Sequence, residues 1–428
     1  MKRFFDFMEK HFVPVAARIG SQRHLVAIRD GFVGIMPLIL AGSFAVLLNQ
    51  TVFKWIPVLD ILSAINGNVW WGTFAVMSLL IAFSVGYNLA KSYGSDALAA
   101  GLISAGAFLA VTPQVHGDAG WGYIYWEYLN ATGLFTAIIV AIITTEIFVR
   151  LMKKNIVIKM PDNVPPAVGR AFAAIIPGLI AVYALGILAF LIDKLGGNSL
   201  YDLVLNLIQK PLQGFSQGIF SVMFFAMLIN LFWFFGLHGA NIMDPIMNAL
   251  YLPALEANAS AIQQGLQAPN IVTRVFFDAY IHLGGSGATL ALILAIFIAS
   301  KRRKDYKTVA KLAAPAGIFQ INEPIIFGLP IVLNPILFIP FIIVPGVLTL
   351  IAYIATASGL VPPTYVVMPW TTPVGIGGFL ATGGSIAGGL LALVNFTVAV
   401  MIYLPFVILA DKMARGETNI KKEENTAK

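Results

Sequence analysis

The stretch Gln320-Ile-Asn-Glu-Pro-Ile-Ile-Phe-Gly-Leu-Pro330 is apolar enough to lie within a membrane and too broken to cross one as a plain helix. It sets the carboxylate Glu323 beside the amide Asn322 and interrupts the backbone with Pro324, Gly328 and Pro330. A carboxylate in apolar surroundings is costly unless something pairs with it, so an acid here marks a functional site by default. The alternative is a cap, with Glu323 opening a short helix at a membrane surface.

The surroundings of this stretch identify an integral membrane protein. Of 428 residues, 58% are hydrophobic and 11% charged, and the mean hydropathy is +0.84, outside the range of soluble globular chains. Several apolar runs reach the roughly 20 residues a bilayer-crossing helix needs, which predicts an all-α polytopic protein. The net charge of +7 comes from short basic clusters between apolar runs, the pattern of cytoplasmic loops, and no nucleic-acid partner is expected. Cysteine is absent, which excludes disulfides, thiolate metal sites and a cysteine nucleophile.

Residues 1–30 interleave Lys2, Arg3 and Lys10 with Phe4, Phe5, Phe7 and Phe12, as in an amphipathic segment on the inner membrane face. Five spans are expected next, near residues 31–53, 71–90, 97–112, 133–152 and 171–192. The loop between the third and fourth holds Asp118 and Glu127 but no Lys or Arg, and is placed outside. Residues 31–192 are thus expected to form a five-helix scaffold or oligomer-interface domain, and 193–215 an amphipathic connecting helix.

The second domain, 216–410, opens with a span near 216–236. A continuous span is expected at 278–300, because the run Lys301-Arg-Arg-Lys304 after it must be cytoplasmic. If both spans end inside, the chain must cross outward between them, and the polar-spotted stretch from His238 to about Leu255 is the candidate. Segments near 313–330 and 360–380 are broken by proline and glycine and read as re-entrant; spans near 331–356 and 385–409 complete the set. The expectation is ten transmembrane helices plus two re-entrant segments in two halves, both termini inside, with residues 411–428 a polar, disordered cytoplasmic tail. Broken helices near the midplane are where transporters bind substrate, so the site is expected after residue 236.

The run Trp233-Phe-Phe-Gly-Leu-His238-Gly-Ala-Asn241 brings an indole, an imidazole and an amide together, a mixture suited to a sugar's hydroxyls and C–H faces. Trp370, within Val-Met-Pro-Trp-Thr-Thr-Pro, lies in a broken segment and suits a pocket wall, although an aromatic-belt anchor is the alternative for both tryptophans. Asp244 suits a helix cap, and Ser286, in His282-Leu-Gly-Gly-Ser-Gly, close packing. There is no nucleotide-binding Gly-x-x-x-x-Gly-Lys-Ser/Thr loop, and histidines 11, 24, 116, 238 and 282 have no metal spacing. Neither a metal nor a cofactor is expected.

The chain resembles the membrane-embedded IIC subunit of the bacterial sugar phosphotransferase system, in its lactose, cellobiose and diacetylchitobiose family. The resemblance runs from Ala17-Arg-Ile-Gly-Ser-Gln-Arg-His24 through Phe235-Gly-Leu-His-Gly239 to Ile321-Asn-Glu-Pro-Ile325. It implies a bacterial cytoplasmic-membrane homodimer, with the first five helices at the dimer interface and one disaccharide bound per subunit. It also implies Glu323 at the hydroxyl that accepts phosphate, His238 bonding the sugar, and Trp233 and Trp370 lining the pocket; Asn322 and Asn241 join them as candidate sugar contacts. In that family the phosphoryl donor is a phosphocysteine on a IIB protein, served by IIA upstream, which the cysteine-free chain must borrow. Two indoles suit two sugar rings, so a β-linked glucose disaccharide such as cellobiose is the favoured substrate, with diacetylchitobiose and lactose as open alternatives. The alternative is a proton-coupled secondary sugar transporter with Glu323 as its protonation site.

Overall fold

The computed structural model describes residues 2–117, 120–161, 164–329, 331–332 and 334–426. Asp118 of the polar loop and Pro330, which closes the stretch quoted above, lie outside the described residues. Six helices among those described are long and apolar enough to cross a bilayer. Two further apolar helices, Ala97–Val111 and Thr289–Ala299, have only 15 and 11 residues. The protein is a helical, multi-pass membrane protein.

The chain divides into two units, one of residues 19–216 and 244–260, the other of 1–18, 217–243 and 261–428. In the first, the helix Arg23–Leu47 starts well before Gly31, because the Gln22 side chain accepts from the Leu25 N–H at 2.8 Å and so caps the first turn. Asp96 caps Ala97–Val111 in the same way, accepting from Ala99 N–H at 3.0 Å. Gly86 sits against Ser104 with no room for a side chain, so Met77–Ser92 and Ala97–Val111 approach closely. Glu146, on the helix Leu134–Lys153, is paired three ways, with Tyr93 Oη at 2.5 Å, His24 Nε2 at 3.0 Å and Arg150 at 3.2 Å. The helix Pro166–Gly196 ends where Gly197 turns left-handed. The expected connecting helix forms as one continuous helix from Leu200 to Ser216, with a π turn at Leu205–Gln209 and Ser199 as its cap.

The second unit also contains broken helices. Ile219–Phe234 ends at Gly236, whose φ of +77° turns the chain into the 25-residue helix Gly239–Gln263. The continuous span expected at 278–300 does not form. A short helix, Arg274–Tyr280, stops at a glycine turn, and Thr289–Ala299 begins after it. Gly284, Gly285 and Gly287 all take positive φ, and Ala288 follows at +52°. Glycine, serine and alanine keep the run apolar on average, but the backbone angles they adopt end a helix.

The glycine turn is well anchored. Asp278 bridges Arg274 at 3.1 Å and His282 Nδ1 at 3.4 Å, and the Tyr403 hydroxyl donates to the Gly287 carbonyl at 2.6 Å. Buried Asn395 donates to the carbonyls of Tyr280 and Leu348 at 2.9 and 3.0 Å, fixing Arg274–Tyr280 and Pro335–Ala357 against the last helix. That helix runs from Ile386 to Thr426, so the tail is helical rather than disordered as far as Thr426. Its Lys- and Glu-rich sequence has good helix propensity. At Asp411 a carboxylate oxygen accepts the backbone N–H groups of Lys301, Arg302 and Arg303 at 3.0, 2.6 and 3.0 Å, tying the basic loop to the helix.

Candidate functional site

Helix breaks bring His238 and Glu323 together. His238 precedes the first residue of Gly239–Gln263, and its Nδ1 accepts the Asn241 N–H at 3.2 Å, satisfying one of the orphan donors of that helix start. An accepting Nδ1 puts the proton of the neutral ring on Nε2. Nε2 stands 3.6 Å from Glu323 Oε1. Glu323 is the first residue of the helix Glu323–Gly328, with Pro324 behind it. It therefore occupies a helix-opening position and faces an imidazole from there.

The pair is open. The His238 and Glu323 side chains are 41% and 46% exposed, so Glu323 is not the buried acid that an apolar stretch suggested. A separation of 3.6 Å is too long for a hydrogen bond. A hydroxyl oxygen about 2.8 Å from each atom would complete a triangle, accepting from Nε2–H and donating to the carboxylate.

The other candidates take different stations. Trp233 is buried, at 2% exposure, and its ring lies 4.2 Å from the His238 ring, centroid to centroid. It backs the imidazole rather than presenting an open face. Its ring also meets that of Phe327, edge-on at 6.3 Å, and Phe327 is itself 58% exposed. Trp370 is 51% exposed, on the turn that follows residues 362–369, which form neither helix nor strand. Asn322 is buried and gives its side-chain amide to the Ser286 carbonyl at 3.1 Å, so it braces the glycine turn. Asn241 contributes its backbone N–H to His238, and Asp244 pairs with Asn248 at 3.0 Å.

Two features of the site escape residue-type logic. Phe327 reads as one more apolar residue, although it is an exposed aromatic next to Trp233. Gln320 opens the quoted stretch, but its partners, Gly284, Gly285 and Thr372, lie far off in sequence. The one local signal was the dense glycine in His282-Leu-Gly-Gly-Ser-Gly.

A helical membrane protein whose helices break around an open imidazole–carboxylate pair fits the class of membrane permeases. Its sequence matches the family described as Phosphotransferase system, EIIC over residues 29–345, and the chain belongs to that family. It is 42% identical to the "PTS system cellobiose-specific EIIC component" of Geobacillus stearothermophilus, over 97% of this chain and 96% of the relative. It is 38% identical to the "Lichenan permease IIC component" of Bacillus subtilis (strain 168), over 98% of this chain and 96% of that one. Among solved structures it is similar to ChbC, the IIC component from the N,N'-diacetylchitobiose-specific phosphotransferase system, with a TM-score of 0.90 and 39% identity. That match covers 96% of this chain and 99% of ChbC.

Proposed function

We propose that this chain is the sugar-translocating IIC component for a β-linked disaccharide, cellobiose in particular, working with a phosphorylated IIB protein. Membership of the EIIC family and the relative named for cellobiose support the substrate class. The observation that carries the site is the open pair of His238 and Glu323, set to share one hydroxyl. Trp370, half open on its turn, is the ring for a sugar face to stack on, and Trp233 acts through the imidazole it backs.

The chemistry follows from the pair. The C6 hydroxyl of the sugar accepts from His238 Nε2–H and donates its proton toward Glu323. The hydroxyl oxygen then attacks phosphorus of the IIB phosphocysteine. The O–P bond forms, the S–P bond breaks, the cysteine leaves as thiolate, and the hydroxyl proton passes to Glu323 as general base. Without IIB the same contacts hold the sugar through translocation.

The membrane arrangement that fits this function is ten crossings and two re-entrant segments, the crossing near 278–300 made by the broken pair Arg274–Tyr280 and Thr289–Ala299, with both termini in the cytoplasm, where the basic clusters lie. Residues 31–192 serve as scaffold and homodimer interface, and 216–410 as the moving substrate domain. Glu323→Gln is the test. It should still bind cellobiose but lose sugar-phosphate formation by about 100-fold or more, the range of a general base. Normal binding with phosphorylation at the original rate would refute the assignment.

A further inference from the structure

We propose that Gln320 is the positioning residue of this site, clasping three broken segments together and so fixing where Trp370 and Glu323 stand. The inference rests on the function proposed above. Gln320 is 5% exposed and its backbone takes a φ of +68°. That left-handed conformation is strained for any residue with a Cβ, and glycine would adopt it freely. The chain keeps a long side chain there instead, and both of its polar atoms are engaged. Oε1 accepts the N–H groups of Gly284 and Gly285, the second at 3.1 Å, while Nε2 donates to the Thr372 carbonyl at 2.9 Å.

Each partner leads to a site residue. Thr372 closes the turn that carries Trp370, its N–H and hydroxyl both bonding the Pro369 carbonyl, at 2.9 and 2.6 Å. On the other side, Asn322 donates to Ser286 at 3.1 Å, so one stretch grips the glycine turn twice, and Glu323 is the next residue. The approach leaves no slack: a Cβ built on Gly285 would lie 2.6 Å from Asn322 Cβ and 2.8 Å from the Gln320 carbonyl oxygen. The backbone is irregular at all three places. With no helix or sheet ladder joining them, side-chain bonds from one buried amide set their register.

The two ends of the amide can be separated. Gln320→Glu keeps an acceptor for Gly284 and Gly285 but loses the donor to Thr372; Gln320→Met keeps the shape and loses both. The full-length protein would be assayed in vesicles for cellobiose uptake with phosphorylated IIB. Gln320→Glu should raise half-saturation about tenfold with turnover nearly unchanged, because the Trp370 turn is released while the Glu323 turn stays gripped. Gln320→Met should raise half-saturation and also cut turnover about tenfold.

A sugar-free readout accompanies this. The chain has no cysteine, so Thr371→Cys reports the mobility of the Trp370 turn by its rate of maleimide labelling. Both Gln320 variants should label several-fold faster than the Gln320 parent. Equal labelling in all three, or identical loss of turnover in both variants with half-saturation unmoved, overturns the proposal. If the parent phosphorylates no disaccharide, the functional reading fails, and the labelling rates still decide the clasp by themselves. Should Gln320→Met fail to fold, Gln320→Glu, which leaves the glycine N–H groups paired, carries the same test.

Discussion

His238 Nε2 faces Glu323 Oε1 at 3.6 Å while the other ring nitrogen, Nδ1, is held by the Asn241 N–H at 3.2 Å. One imidazole thus closes a helix end with one nitrogen and addresses the carboxylate with the other. The capping bond orients the ring, so the proton available to a ligand is the one on Nε2. Fixing a donor before the ligand arrives removes an ordering cost from binding.

The two roles of His238 predict different outcomes for two substitutions. Asparagine is a good N-cap residue but is too short to reach a hydroxyl beside Glu323. His238→Asn should keep the thermal stability of the parent in detergent and lose sugar binding. His238→Ala should lose binding and also about 1 kcal/mol of stability from the missing cap. Calorimetric unfolding beside a binding isotherm separates them; equal stability in both variants would remove the capping role.

Trp370 is half exposed and Trp233 is buried, so removing them should not look alike. Trp370→Ala should weaken disaccharide affinity about tenfold with little change in stability, and Trp370→Phe should recover part of that loss. Trp233→Ala empties a packed position behind His238 and should cost about 3 kcal/mol or more of stability together with binding. Titration calorimetry and thermal unfolding give both quantities. An affinity unchanged in Trp370→Ala would leave that residue outside the sugar site.

Gly285→Ala tests the contact between the glycine turn and the stretch that carries Glu323. The position has a φ of +93° and no space for a Cβ beside Asn322. Backbone strain of about 1–3 kcal/mol, plus displacement of Asn322, should lower the melting temperature and slow uptake together. A variant that is destabilised yet transports at the parental rate would show that the turn is scaffold alone.

The candidate pair was legible because its polar groups stand out in an apolar chain. Glu323 beside a proline, and His238 beside a glycine, were conspicuous for that reason. Two other positions were not. The span expected at 278–300 dissolves into helix, turn and helix because hydropathy averages over glycine and serine, while positive φ at Gly284, Gly285 and Gly287 decides the backbone. Hydropathy also passes over Gln320, whose meaning depends on partners at 284, 285 and 372. Trp233 was visible as an indole, but its burial behind His238 follows from packing that no local pattern encodes. The acid itself is not buried, its side chain being 46% exposed.

Uptake of labelled cellobiose into sealed vesicles, with and without phosphorylated IIB, tests the central claim most directly. The proposed mechanism predicts that label accumulates inside as sugar phosphate, that accumulation requires phosphorylated IIB, and that Glu323→Gln abolishes it. Accumulation of unmodified cellobiose driven by a proton gradient alone would contradict it.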